Sequence, residues 1–254
     1  KGINEEFGTA EDFRNFVECA HALGMKVILD WVANHTARDA RWIEERPADW
    51  YERDENGVAK VPWDWTDTAK LNYANHDVWC GHIDAMRYWV EEFKVDGFRC
   101  DMAMLVPIEF WQEAARELHA IKPDIFMLAE AEEDNLFNDA FNMSYQWNIH
   151  HIMCDIAKGA RRVWDLRNAI HSERAKYPRE AMRMSFTSNH DENLSGDNYD
   201  IVLRYRPRTE QTGDEVDFGF SKSWLDNRLI VEVEGGYLSD EALQATEKAS
   251  NFVG

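Results

Sequence analysis

Lys26-Val27-Ile28-Leu29-Asp30-Trp31-Val32 is a short, nearly continuous apolar run interrupted late by one acid. Such a run lacks the alternation of a half-exposed strand and marks one covered on both faces, as in a parallel sheet flanked by helices. Just upstream, Thr9-Ala10-Glu11-Asp12 has the capping-box pattern that opens a helix. Phe13, Phe16, Val17 and Ala20 then recur at helical spacing, and Gly24 ends the helix before the strand begins. The same unit repeats downstream. Trp79, Ile83, Met86, Val90 and Phe93 form a helical stripe, and Gly97-Phe98-Arg99-Cys100-Asp101 reads as the following strand. Pro107 opens a helix to about residue 120, followed by the strand Ile125-Phe126-Met127-Leu128-Ala129-Glu130. A weaker strand is expected within 141–147, helices within 149–158 and 163–176, and a last strand at 182–189. Helix and buried strand alternating over residues 1–190 predict an α/β fold with a parallel sheet.

Residues 42–75 break the alternation. They are rich in Trp, Asp and Pro and read as a long insertion between one strand and the next helix. Insertions of that kind in parallel barrels sit at the catalytic end.

Composition narrows the function. The chain has 254 residues, 44% of them apolar, enough for a sizeable core. Eleven Trp and an aromatic content of 13% suit a thick core and also supply flat surfaces for sugar rings. A net charge of −20 repels phosphate and argues against nucleic acid as a partner. Neutral glucans fit it. Cys19, Cys80, Cys100 and Cys154 are scattered and read as buried reduced thiols. No signal peptide or membrane span is evident. The chain opens on Lys1 without an initiator Met, which leaves a lost leader open, and with it both bacterial cytoplasm and periplasm.

The charges at the strand ends carry the chemistry. Four apolar runs close on acid or polar groups: Asp30 with Asn34 and His35, Arg99 with Asp101, Glu130, and Asn189 with His190 and Asp191. In a parallel barrel these ends converge on one mouth. Two carboxylates across a glycosidic bond perform retaining hydrolysis when about 5–5.5 Å apart, one as nucleophile and one as acid and then base. Arg99, two residues before Asp101 on the same strand face, would keep Asp101 ionised. Glu130 follows an apolar run, where burial and neighbouring carboxylates would raise its pKa.

Asp30-Trp31-Val32-Ala33-Asn34-His35, Gly97-Phe98-Arg99-Cys100-Asp101, Ala129-Glu130 and Thr187-Ser188-Asn189-His190-Asp191 together resemble the four ordered signature regions of the α-amylase superfamily, glycoside hydrolase family 13. The resemblance covers about residues 1–195. It implies a (β/α)8 barrel and an enzyme that cleaves α-1,4-glucosidic bonds in starch-like substrates through a covalent glycosyl-enzyme. Asp101 is implied as nucleophile, Glu130 as general acid/base and Asp191 as transition-state stabiliser. Asp30, His35, Arg99 and His190 are implied at the bound sugar, and Asn34 and Asn189 as structural support. No cofactor is implied. Asn34 resembles a ligand of calcium-dependent members, but in Thr68-Ala69-Lys70-Leu71-Asn72, similar to a fifth family region, Lys70 replaces an expected Asp. The balance is therefore against calcium. Met104-Leu105 stand where many members carry Lys-His on the acceptor side, which leaves the glucan specificity open. His150-His151 are adjacent on a helix and point in different directions, so no shared metal is expected. Asn34-His35-Thr36 forms a glycosylation sequon, but its place inside the expected pocket argues against modification.

About five barrel strands are read in residues 26–190, where eight complete a barrel. Gly2-Ile3-Asn4-Glu5-Glu6-Phe7-Gly8-Thr9 resembles the loop after the family's second strand, so a partial barrel over residues 1–196 is expected. In residues 197–254 the period changes: Tyr199, Ile201, Leu203 and Tyr205 alternate with polar or exposed positions, as do Val216, Phe218 and Phe220, and Leu229, Val231 and Val233. That is the period of antiparallel strands, with Asp226-Asn227 as a hairpin turn. This segment resembles the C-terminal β-domain of TamB-like translocation and assembly proteins and is read as a separate unit. Two functional expectations follow. One is a retaining α-glucan hydrolase. The other is an inactive truncated or chimeric chain, expected to hydrolyse starch poorly or not at all because missing strands leave sheet edges open.

Overall fold

The computed structural model describes residues 1–187 and 189 of the chain, with the backbone of three strands at 200–206, 215–224 and 229–238. Two compact units are present, residues 1–145 with 177–184, and residues 146–176 with 185–254.

The first unit holds the parallel sheet. Helix α1 (Ala10–Ala22) starts as its sequence dictates: Asp12 N–H donates to Thr9 Oγ1 at 3.2 Å, and Thr9 N–H donates to Asp12 Oδ2 at 2.8 Å. These bonds satisfy two of the donors that every helix start leaves open. Strand β1 (Ile28–Val32) follows. Strands β2 (His35–Ala37) and β3 (Thr68–Lys70) pair antiparallel and bracket the insertion, which carries the short helix α2 (Arg41–Glu45). Helix α3 (His76–Phe93), capped by Asn75, leads into β4 (Gly97–Asp101). Helix α4 (Ile108–Ile121) leads into β5 (Phe126–Ala129), and then come β6 (Met143–Tyr145) and β7 (Met182–Met184). The sheet order is β1-β4-β5-β6-β7, every pairing parallel, as the alternating pattern predicts for a partial barrel.

Ile83, Met86, Val90 and Phe93 of α3 and Phe110, Trp111, Ala114 and Leu118 of α4 form one core with Phe98, Cys100, Met127 and Ala129 of the strands. Each fully buried large apolar side chain contributes about 1.5–3 kcal/mol, so this stripe is what seats the helices on the sheet. The expectation of a fully covered β1 is corrected. Its Val32 is 42% exposed, because among the described strands β1 is an edge that pairs with β4 alone. Phe16, read as part of the α1 stripe, is also exposed; α1 buries Val17 and Ala20. Cys100 and Cys154 are buried and form no disulfide among the described residues, but Cys19 and Cys80 are exposed, since each lies on the solvent side of its helix.

Strand β4 begins at Gly97 because β5 passes too close for a side chain. A Cβ on Gly97 would lie 1.9 Å from the Phe126 carbonyl oxygen, a backbone atom that cannot move without dragging the strand. Gly97→Ala is expected to destabilise the protein by about 1–3 kcal/mol or more. Urea unfolding checks this, and an unchanged midpoint would refute it.

The second unit contains α5 (Trp147–Ala157) and α6 (Val163–Lys176), which bury Ile149, Ile152, Met153, Cys154 and Leu166 together. His150 is buried, with Nδ1 3.3 Å from the Phe186 carbonyl oxygen, while His151 is exposed, so the two rings do diverge as expected. Strands β8 (Asp200–Arg206), β9 (Glu215–Trp224) and β10 (Leu229–Leu238) form an antiparallel sheet in the order β10-β9-β8. The antiparallel expectation for this segment therefore holds. The Asp226-Asn227 turn and the join expected near residue 196 lie outside the described residues. No helix among the described residues is long and apolar enough to cross a membrane.

Candidate active site

Three neighbouring parallel strands deliver the charged groups to one edge of the sheet. In the β1–β4 register Asp30 stands beside Arg99 and Val32 beside Asp101. Residues two apart on a strand share a face, so Arg99 and Asp101 project together. Cys100 is level with Ala129, and the Glu130 N–H continues that ladder by donating to the Cys100 carbonyl at 3.0 Å. Glu130 thus arrives level with Asp101.

Arg99 is the hub. Its Nη1 donates to Asp30 Oδ1 at 2.9 Å and to Asp101 Oδ1 at 2.7 Å. Its Nη2 stands 2.8 Å from Glu130 Oε2, an ion-pair contact outside hydrogen-bond geometry. Its Nε donates to the Tyr145 hydroxyl at 3.3 Å, and the guanidinium lies 5.6 Å from the centre of that ring. Burial works against the charge of Arg99, but the Tyr145 hydroxyl, Asp30 and Glu130 outweigh it and raise the pKa further, so the guanidinium stays charged. The carboxylates differ in exposure: the Asp30 side chain is 60% exposed, Asp101 22% and Glu130 5%.

That gradient separates the two central acids. Burial pushes the Glu130 carboxyl above the usual carboxylate range, with the charge of Asp101 adding to the shift. The Met102 N–H, donating to Glu130 Oε2 at 3.0 Å, and Arg99 both oppose it without reversing it. Met102 adopts φ +42° to present that N–H. A left-handed methionine is uncommon, and it holds the Glu130 carboxyl in place from the loop that follows β4. Asp101 is hydrogen-bonded directly to the guanidinium. Burial thus poises Glu130 to hold a proton beside the guanidinium-bound Asp101, the arrangement that acid and nucleophile roles need.

His35 lies at the start of β2, and burial lowers its pKa against the pull of Asp101 and Asp67. The buried Asn34 amide nitrogen is 3.4 Å from His35 Nδ1 and donates to it, which leaves the proton on Nε2. Trp65 from the insertion tilts against the His35 ring with centroids 5.3 Å apart. Lys70 pairs with Glu52 at 2.8 Å. Met104 is 43% exposed just beyond Asp101. Asn189 is half-buried and belongs to the second unit, while His190 and Asp191 lie outside the described residues.

The structure therefore brings Asp30, Arg99, Asp101 and Glu130 into direct contact, with Asn34 and His35 at the end of β1. Two further contributors, Tyr145 and Trp65, escape the sequence reading. Tyr145 closes a strand of three residues whose apolar signal is weak, and Trp65 sits in an insertion without periodicity. Only the excess of tryptophan hinted at the second.

The chain matches the family "Alpha amylase, catalytic domain" over residues 1–69 and 63–210. It is 30% identical over 192 residues to a maltogenic alpha-amylase of Bacillus acidopullulyticus, covering 66% of this chain and 33% of that one. Among solved structures it resembles an alpha-amylase from Lactobacillus plantarum (35% identity, TM-score 0.71, 75% of this chain and 48% of the other). A maltogenic alpha-amylase from Thermotoga neapolitana is similar to the same degree (36% identity, TM-score 0.70, 75% and 44%). The chain spans about a third of the length of that curated relative and under half of these solved chains. The family match runs on to residue 210, and the likeness of residues 197–254 to TamB-like assembly proteins finds no support in these matches.

Proposed function

Since this chain belongs to the α-amylase catalytic-domain family, we propose that it is a retaining hydrolase of α-1,4-linked glucans. The observation that carries the reading is the single buried guanidinium of Arg99, in contact with both Asp101 and Glu130. Asp101, ionised and partly open to the mouth, attacks the anomeric carbon and forms the glycosyl-enzyme. Glu130, protonated, delivers its proton to the departing glycosidic oxygen and then takes one from the incoming water. Asp30, His35 and Arg99 bind the sugar at the cleaved bond and Asn34 supports the loop after β1; for His190 a sugar-binding role and for Asn189 a structural role are proposed from the family signature alone. Asp191 orients ring hydroxyls and stabilises the transition state. The route needs no metal or organic cofactor, and its partner is an α-glucan or oligosaccharide.

The stereochemistry of the first product tests the proposal. Two inversions at one carbon leave the configuration unchanged, so maltoheptaose should release α-anomers. Proton NMR in the first minutes of the reaction, before mutarotation, reads this directly. Initial β-anomers would overturn the retaining route, and no product of either form would overturn the hydrolase reading for this chain.

A further inference from the structure

Within the insertion, the segment Pro62-Trp63-Asp64-Trp65 is a tight turn closed by the Trp65 N–H donating to the Pro62 carbonyl at 3.2 Å. Thr68 fixes its exit, its N–H and Oγ1 donating to the Trp65 carbonyl at 3.0 and 2.8 Å. Trp63 occupies the second position of that turn with φ +49° and is 60% exposed. Turns with positive φ at that position favour Gly, Asn or Asp. A tryptophan there carries backbone strain and leaves much of a large apolar ring in water. Its ring meets Trp65 edge-on with centroids 4.9 Å apart, and Trp65 in turn lies against His35. The chain of rings is continuous with the proposed sugar site and leads outward from it.

We propose that Trp63, braced by Trp65, is a stacking platform for a sugar ring of the bound α-glucan beyond the one at the cleaved bond. This rests on the glucan reading above and extends it to a binding position on the insertion. The apolar face of a pyranose covers the indole as other flat rings do, and backbone strain held at an exposed aromatic is what a ligand clamp displays.

Isothermal titration calorimetry with maltoheptaose and maltose tests it, using the Asp101→Asn background to prevent turnover. Trp63→Gly should weaken maltoheptaose binding about five- to tenfold and leave maltose within about twofold. Its melting temperature should be unchanged or higher, because glycine relieves the positive φ. Trp63→Phe should retain most of the affinity. Trp164→Ala, which removes another exposed tryptophan on α6, should change nothing. If the background protein binds maltoheptaose and Trp63→Gly binds it equally well, the platform is wrong and the glucan reading stands. If the background protein binds no α-glucan, both fail.

Discussion

Asp101→Asn is expected to lower hydrolysis of soluble starch and maltoheptaose by on the order of 10⁴-fold or more while maltoheptaose binding persists. The replacement keeps the size of the side chain and the hydrogen bond to Arg99 Nη1 but removes the anionic oxygen that attacks the anomeric carbon. A 10⁴-fold loss corresponds to roughly 5.5 kcal/mol of transition-state stabilisation. The fold should survive, because Arg99 keeps Asp30 as an ion-pair partner and stays in contact with Glu130. The same change has a second reading. The Asp101 charge helps to raise the Glu130 pKa, so its removal should move the Glu130 titration to lower pH. Burial, the largest cause of the upward shift, remains. Carbon-detected NMR of the carboxyl group measures this. Residual activity above about a tenth of the parent rate would remove Asp101 from the nucleophile role.

Glu130→Gln should lower hydrolysis of maltoheptaose by about 10²- to 10⁴-fold, the range for a lost general acid. The loss should depend on the leaving group. Fluoride departs from α-maltosyl fluoride without needing a proton, so glycosylation of Asp101 should proceed at close to the parent rate. Water then lacks a base, and the glycosyl-enzyme should accumulate to a mass-spectrometric peak. Azide attacks without a base and should discharge it as maltosyl azide of retained configuration. The pH profile supplies a further check. The acid works only when protonated, so parent activity should fall as pH rises through the raised Glu130 pKa. Glutamine cannot ionise, and that alkaline limb should vanish. Equal losses on both substrates, or an unchanged alkaline limb, would assign the acid role to another group.

Much of this architecture is legible along the chain because it is written in local periods. The stripe through Ile83, Met86, Val90 and Phe93 and the run at Ile28–Val32 identify helix and strand by spacing alone, and both are found where that spacing puts them. Acids at the ends of consecutive parallel strands point to a shared mouth, and Arg99, Asp101 and Glu130 do meet there. Other features depend on which strands become neighbours. The exposure of Val32 reflects β1 having a single partner among the described strands, which no residue within β1 encodes. Tyr145 touches Arg99 only because β6 lies beside β5 and β5 beside β4, and its three-residue strand carries too little pattern to be placed in advance. The left-handed backbone of Met102 and Trp63 is set by the contacts their loops must make, against the preference of both residue types. By itself, then, the sequence determined the alternation of helix and parallel strand and the identity of the acids at the strand ends. The apolar run before Glu130 hinted at their inequality, but only the tertiary structure decided its extent, a 5% exposed Glu130 beside a 22% exposed Asp101. Desolvation depends on what surrounds a carboxyl in space, and those surroundings come from strands and loops far apart in the chain.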